Sequence, residues 1–205
     1  MKKRVEGSSK VRRMVLVAML GAISAILMFF SVAVPFVPPF ITFDFSELPI
    51  IIAGFVLGPV DGLVTIVIKL LLKLIYEGTQ TAGVGELMNF CVSALYMLPS
   101  VLIYHKIRSK KGAAISMAVG TVIVSIMAVL INYFIMFPVY AWAARMPMAT
   151  LVDMGTKVNP KIDSLFTMMV WAVLPFNLLK YTVLSLTTFL VYKRLAGFMR
   201  NMILK

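Results

Sequence analysis

Long apolar runs without alternation constrain this chain more than any other feature. Residues 14–34, 48–76, 86–105, 113–137 and 165–192 are each dominated by apolar side chains. About 20 such residues, coiled as a helix, cross the roughly 30 Å of hydrocarbon in a bilayer. Inside lipid every backbone N–H and C=O needs a partner within the protein, which leaves helices or a closed barrel. Barrel strands alternate polar and apolar residues, and these runs do not. Composition agrees: 61% of the 205 residues are hydrophobic and 14% are charged, too few polar side chains to clothe a soluble domain. The expected fold is an all-α membrane protein.

The net charge of +12 invites a nucleic-acid reading, but the basic residues stand at the ends of apolar runs. Lys2, Lys3, Arg4, Lys10, Arg12 and Arg13 precede the first run. Lys106, Arg108, Lys110 and Lys111 separate two later ones, and Lys193, Arg194, Arg200 and Lys205 follow the last. Such clusters mark the cytoplasmic side of a membrane protein, and no nucleic-acid partner is expected. The basic segment 1–13 leads straight into a full-length span, unlike a cleavable signal with its shorter apolar core and small-residue site. One cysteine, Cys91, leaves no intrachain disulfide and no cysteine-based metal cluster.

The clusters also count crossings. With the N-terminus and residues 106–111 both cytoplasmic, an even number of spans must separate them. Three apolar blocks lie there, so one holds two crossings. The 48–76 block contains Gly58, Pro59, Asp61 and Gly62, a turn signal that interrupts a helix. The prediction is a short second helix over 47–57, a turn at 58–62, and a third helix to residue 76. The bundle then has six transmembrane helices within a single domain, 14–194. Both termini are cytoplasmic, the tail being 195–205, and the outer loops are 35–46, 77–85 and 138–163. No soluble domain fits.

Ionisable and amide side chains inside such spans are costly, and they are functional candidates by default. Lys180 lies mid-way along the last helix, three residues after Asn177, so the two share a face; Pro175 just before them bends the helix or frees carbonyls. Asn132 stands on the outer half of the fifth helix, fit either for a helix–helix hydrogen bond or for a ligand. Glu86 and Asn89, three apart, begin the fourth helix after a Gly-rich stretch that either caps it or leaves room for a ligand. Lys69 and Lys73 share a face of the third helix and read as snorkelling or partner contacts, with Glu77 an i,i+4 partner for Lys73. Ser46 reads as the cap of the second helix. In the first outer loop Phe43 and Phe45 alternate with Thr42, Asp44 and Ser46, a pattern that suits an interfacial belt or a lid equally. No catalytic constellation is present: one His, one Cys, and no HExxH or GxSxG. The chain is expected to be no enzyme, with no catalytic residue, metal site or cofactor.

An apolar pocket with Asn132, Asn177 and Lys180 converging on it would suit a flat heteroaromatic ligand. An amide can donate to a carbonyl and accept from a ring N–H at once. At these residues the sequence resembles the riboflavin-specific substrate-binding subunits, or S-components, of energy-coupling factor vitamin transporters. The resemblance rests on "ITFDFSELP" with "GFVLGPVDG", then "GTQTAGVGELMNF", "LINYFIMFP" and "PFNLLK", in order along most of the chain. It implies a multi-pass protein of a prokaryotic cell membrane that captures riboflavin as transported ligand near the outer surface. It assigns contacts to Asn132, Asn177 and Lys180, with Thr42, Phe43, Asp44 and Phe45 closing over the ligand; Glu86 and Asn89 are expected to bind it as well. It also implies a transmembrane coupling subunit and two cytoplasmic ATP-hydrolysing subunits as partners, besides membrane lipid. Ala18 and Ala22 look like the docking motif for that assembly, and Gly21 with Ala25 forms a second small-residue pair on an adjoining face. The alternatives are the same architecture serving another vitamin or a flavin phosphate, and a structural membrane protein without a ligand.

Overall fold

The computed structural model describes residues 2–38, 41–79, 82–143 and 145–204. Expectations that rest on Lys205, or on the side chains of Lys2, Lys3, Arg4, Lys193 and Arg200, lie outside the described residues. The first helix, α1 (Lys2–Phe29), begins well before Met14. The basic segment expected as a tail is thus largely helical: its Lys and Arg residues favour a helix and no proline interrupts it. The same helix ends at Phe29 instead of reaching Val34. A short strand β1 (Val32–Ala33) follows, paired antiparallel with β2 (Thr42–Phe43), Val32 opposite Phe43 and Ala33 opposite Thr42. This small ladder, not foreseen in an all-α fold, pins the two ends of the first loop together.

Helices α2 (Glu47–Leu57) and α3 (Pro59–Glu77) meet at Gly58, whose φ of 116° is a conformation that only glycine adopts freely. Pro59 sits in the first turn of α3, where its missing N–H breaks no helical bond. The Arg13 guanidinium binds Asp61 at 2.5 Å and the Leu57 carbonyl at 2.9 Å, so this turn lies beside the start of α1. With 11 residues α2 is about 16 Å long, and it is enclosed rather than lipid-facing: Ile50, Ile51, Ile52 and Ala53 are fully buried, among α1, α3, α4 and α9 (Leu174–Leu204).

Helix α4 (Val84–Ile107) packs along α5 (Lys110–Ile131). Ser109 caps α5 by accepting from the Gly112 N–H. Helix α5 runs on through a π-helical turn, Asn132–Met136, into α6 (Phe137–Ala143). The stretch 138–163, expected as a solvated loop, holds most of α6 and a further helix, α7 (Met148–Thr156). Leu151 and Ile162 are apolar anchors there and are buried. The short α8 (Leu165–Met168) is capped reciprocally by Ser164 and Thr167 and passes through a second π-helical turn, Met169–Val173, into α9.

Two apolar clusters hold the bundle. The larger joins α2, α3, α4, α5 and α9 around Ile52, Phe55, Ile66, Tyr96, Met97 and Leu184. The smaller gathers Val37, Phe137, Leu151, Ile162, Met168 and Phe176. The outer surface is apolar too, with Met14, Phe29, Val60, Ile75, Leu102, Ile126, Phe134 and Leu190 among its exposed side chains, a surface suited to lipid rather than water. Among the described residues four helical stretches are long and apolar enough to cross a membrane: Lys10–Phe29, Val84–Ile107, Lys110–Ala143 and Leu165–Tyr192.

Candidate functional site

A cavity of about 630 Å³ opens between the two clusters, within the range of small-molecule sites. Its walls come from β2 and the start of α2 (Thr42, Asp44, Glu47), the end of α3 (Lys73, Glu77) and the start of α4 (Asn89). The far side is built from the two π-helical turns and α9: Asn132, Met136, Phe176, Asn177, Lys180 and Tyr181.

The two asparagines are held alike. Asn132 Nδ2 donates to the Ala128 carbonyl at 2.7 Å, and Asn177 Nδ2 donates to the Val173 carbonyl at 2.8 Å. A carbonyl can only accept, so each amide is oriented by its own helix and retains an acceptor oxygen and a second N–H. Asn132 opens one π-helical turn, and Asn177 follows the other by four residues. The wider π turn changes which side chains a helix presents, and such turns recur at functional sites. Both asparagines line the cavity, and each keeps donor and acceptor capacity beyond its own helix.

Lys180 reaches across to the first loop, where its Nζ lies 2.8 Å from Asp44 Oδ2. The other oxygen of Asp44 accepts the Ser46 N–H at 2.8 Å. Burial pushes the Asp44 carboxyl up, but the charge and hydrogen bond of Lys180, the Ser46 hydrogen bond and the Lys69 charge together outweigh it. The carboxyl is held below the ordinary carboxylate range. Ser46 occupies the cap position of α2 but makes no side-chain cap bond, which corrects its expected role. Its carbonyl instead accepts from Ser24 of α1, and its hydroxyl accepts from Lys69 at 3.4 Å.

Lys69 is the main correction to the sequence reading. It neither snorkels nor faces a partner: it is fully buried, 2.9 Å from Glu47 Oε1, and it donates to Asn89 Oδ1 and Ser93 Oγ, each at 3.1 Å. Ser93 also donates to Glu47 at 2.6 Å. An ammonium and a carboxylate taken out of water need such partners. The network ties α2, α3 and α4 together behind the cavity. The signal for it was a lone Glu at the start of an apolar helix, since intramembrane charges pair with one another. Lys73 likewise turns inward, 2.5 Å from Glu86 and 3.9 Å from Glu77, and Thr79 donates to the other oxygen of Glu86.

Of the residues singled out in the sequence, Thr42, Asp44, Asn89, Asn132, Asn177 and Lys180 all line the cavity. Glu86 stands behind its wall through Lys73. Phe43 meets Phe45 edge-on at 5.1 Å and packs on the smaller cluster, while Phe45 is partly exposed; neither is on the wall. Ala18 is exposed on α1 and Ala22 half-buried. The neighbouring Gly21 faces α3, where an added Cβ would meet Ile68 at 2.5 Å, and Ala25 is buried. The two small-residue pairs therefore differ: Gly21 and Ala25 serve internal packing, and Ala18 is left on the outside. Among the described residues no cluster of His, Cys, Asp and Glu is placed to hold a metal ion.

Residues 12–192 match the family model of the ECF transporter substrate-specific component. The chain is 33% identical over 187 residues to the riboflavin transporter FmnP of Bacillus subtilis, covering 91% of this chain and 93% of that protein. It is 31% identical over 190 residues to the riboflavin transporter RibU of Staphylococcus aureus, covering 93% of each. Its fold is similar to a solved structure described as the S component of a bacterial ECF transporter, with a TM-score of 0.72 and 29% identity over 93% of this chain and 98% of that one.

Proposed function

This chain belongs to the substrate-specific components of ECF transporters, and on that premise we propose that it captures riboflavin at the outer membrane face for ATP-driven uptake. The carrying observation is the cavity itself, where Asn132 and Asn177 present preset amides and Lys180 supplies an ammonium among apolar walls. The isoalloxazine ring offers carbonyls that accept from amide N–H and ammonium groups, and a ring N–H that donates to an amide oxygen. Its apolar body suits Met136, Phe176 and Tyr181. The hydroxylated side chain then points toward Thr42, Asn89 and the charged groups at the ends of α3 and α4. Relatives named riboflavin transporters support the ligand's identity.

In this reading six helices cross the membrane with both termini cytoplasmic, and α2 and α3 supply the second and third crossings. The first loop, tethered through Asp44, covers the ligand with Thr42 and Asp44 on the cavity side. Ala18 and Ala22 receive a helix of a transmembrane coupling subunit, which carries two cytoplasmic ATPase subunits. Small residues there let two helices approach closely. The loaded subunit tilts within that complex to open its cavity inward. Its own side chains bind and release, and make or break no covalent bond. Riboflavin titrated into the purified protein tests the ligand. Tight, saturable binding is expected, which Asn177→Ala and Lys180→Ala each weaken by at least about tenfold, the loss of one charge-assisted or buried hydrogen bond. Absence of saturable binding would overturn it.

A further inference from the structure

Basic residues from three distant parts of the chain gather at the end of the bundle opposite the cavity. Arg13 holds the turn between α2 and α3 through the Leu57 carbonyl at 2.9 Å. Beside that turn the Phe55 ring meets Tyr104 of α4 and Tyr192 of α9, with ring centres 4.4 and 5.5 Å away. Residues 10–13, the α4–α5 connection and Arg194 therefore share one end. Among the described side chains the carboxylate at this end is Asp61, and Arg13 already binds it. Asp44, Glu47, Glu77 and Glu86 stand at the cavity end, and Asp153 and Asp163 lie on α7 and just beyond it.

Four helices repeat one step here. An exposed apolar side chain has an exposed cation one turn nearer the end: Met14 and Lys10 on α1, Leu102 and Lys106 on α4, Ile115 and Lys111 on α5, Leu190 and Arg194 on α9. Residues four apart share a helix face and stand about 6 Å apart along its axis. We propose that these four steps bind anionic phospholipid, acyl chains against the apolar members and headgroup phosphates at the cations. Long basic side chains lie along apolar surface and place their charge at headgroup depth, where anionic lipid attracts them. A zwitterionic headgroup brings its own ammonium, which these cations repel. An acidic soluble partner would match the cations alone and leave the apolar residue beneath each without a purpose. The inference concerns the end away from the cavity and is independent of the ligand bound there.

The full chain in detergent is titrated with phosphatidylglycerol and with phosphatidylcholine of the same acyl chains, and affinities are read from the rise in melting temperature. Phosphatidylglycerol is expected to bind about fivefold or more tightly at low salt, the gain of one cation near an anionic surface, and raised salt narrows that ratio by screening. Lys10→Gln, Lys106→Gln, Lys111→Gln and Arg194→Gln combined bring the ratio close to one, and Lys106→Gln with Lys111→Gln lowers it part of the way. Lys157→Gln with Lys161→Gln removes two exposed cations at the cavity end and leaves it unchanged. Equal affinity for the two lipids in wild type, a ratio that survives the combined variant, or one that falls as far in the Lys157 and Lys161 variant would each overturn the proposal. Glycerol phosphate and polyglutamate supply the charge without acyl chains. Stabilisation by either as strong as that by phosphatidylglycerol would assign these cations to a free phosphate or an acidic protein, and would overturn it as well.

Discussion

Lys69 cannot be altered alone without leaving a buried carboxylate uncompensated. Replacement by Met strands Glu47, which is itself buried and whose second oxygen already has no hydrogen-bond partner. Breaking a buried pair in this way costs about 3–5 kcal/mol. Lys69→Met should therefore lower the melting temperature markedly, and adding Glu47→Gln should restore part of the loss; a double variant no more stable than the single one would dissociate the two residues. Asp44 carries a different expectation. Its carboxyl is held below the ordinary range, so the pair with Lys180 is complete above the unfolded value of about 4 and is lost only as pH falls through the lowered value. Riboflavin dissociation should then be independent of pH from about 8 to 5 and quicken only in stronger acid. Asp44→Ala, which frees the first loop from α9, should raise the dissociation rate about tenfold at neutral pH, readable by stopped-flow flavin fluorescence.

The helix pair α4–α5 depends on close approach. A Cβ added at Gly120 would lie 2.0 Å from the Ser100 hydroxyl and 2.9 Å from the Tyr96 carbonyl. The hydroxyl can rotate away, but the carbonyl is backbone and holds its place. Gly120→Ala should therefore destabilise the protein by about 1–3 kcal/mol, as overpacking does. Ser100→Ala in the same chain should relieve only part of that loss, because the Tyr96 contact persists; full rescue, followed by thermal denaturation, would show the hydroxyl to be the whole obstacle. The π-helical turns act at this scale as well. They set the faces on which Asn132 and Asn177 present their amides, and nothing in local composition announces them.

At the scale of the whole molecule, the proposed capture site and the proposed docking site lie on different surfaces. The cavity is enclosed between two apolar clusters, while Ala18 faces outward on α1. Ala18→Trp is expected to leave riboflavin binding by the isolated subunit intact and to abolish transport with its partner subunits, since a bulky side chain keeps two helices apart. Loss of ligand binding in that variant would place α1 in the capture machinery instead.

Much of this was legible in the residues. Apolar runs of span length imply a helical membrane protein whatever their packing, because lipid leaves backbone groups no other partner. The turn at Gly58 and Pro59 was readable because those residue types restrict the backbone locally. Asn132, Asn177 and Lys180 stood out because polar groups within apolar helices are conspicuous. Other features depend on the partner that a side chain meets, which local sequence does not state. The burial of Lys69 against Glu47, the turning of Lys73 toward Glu86, and the folding of 138–163 into helices over the smaller cluster each join residues far apart in the chain. A lysine near a membrane can snorkel or pair, and the choice belongs to tertiary structure, since only the distance to a carboxylate separates the two.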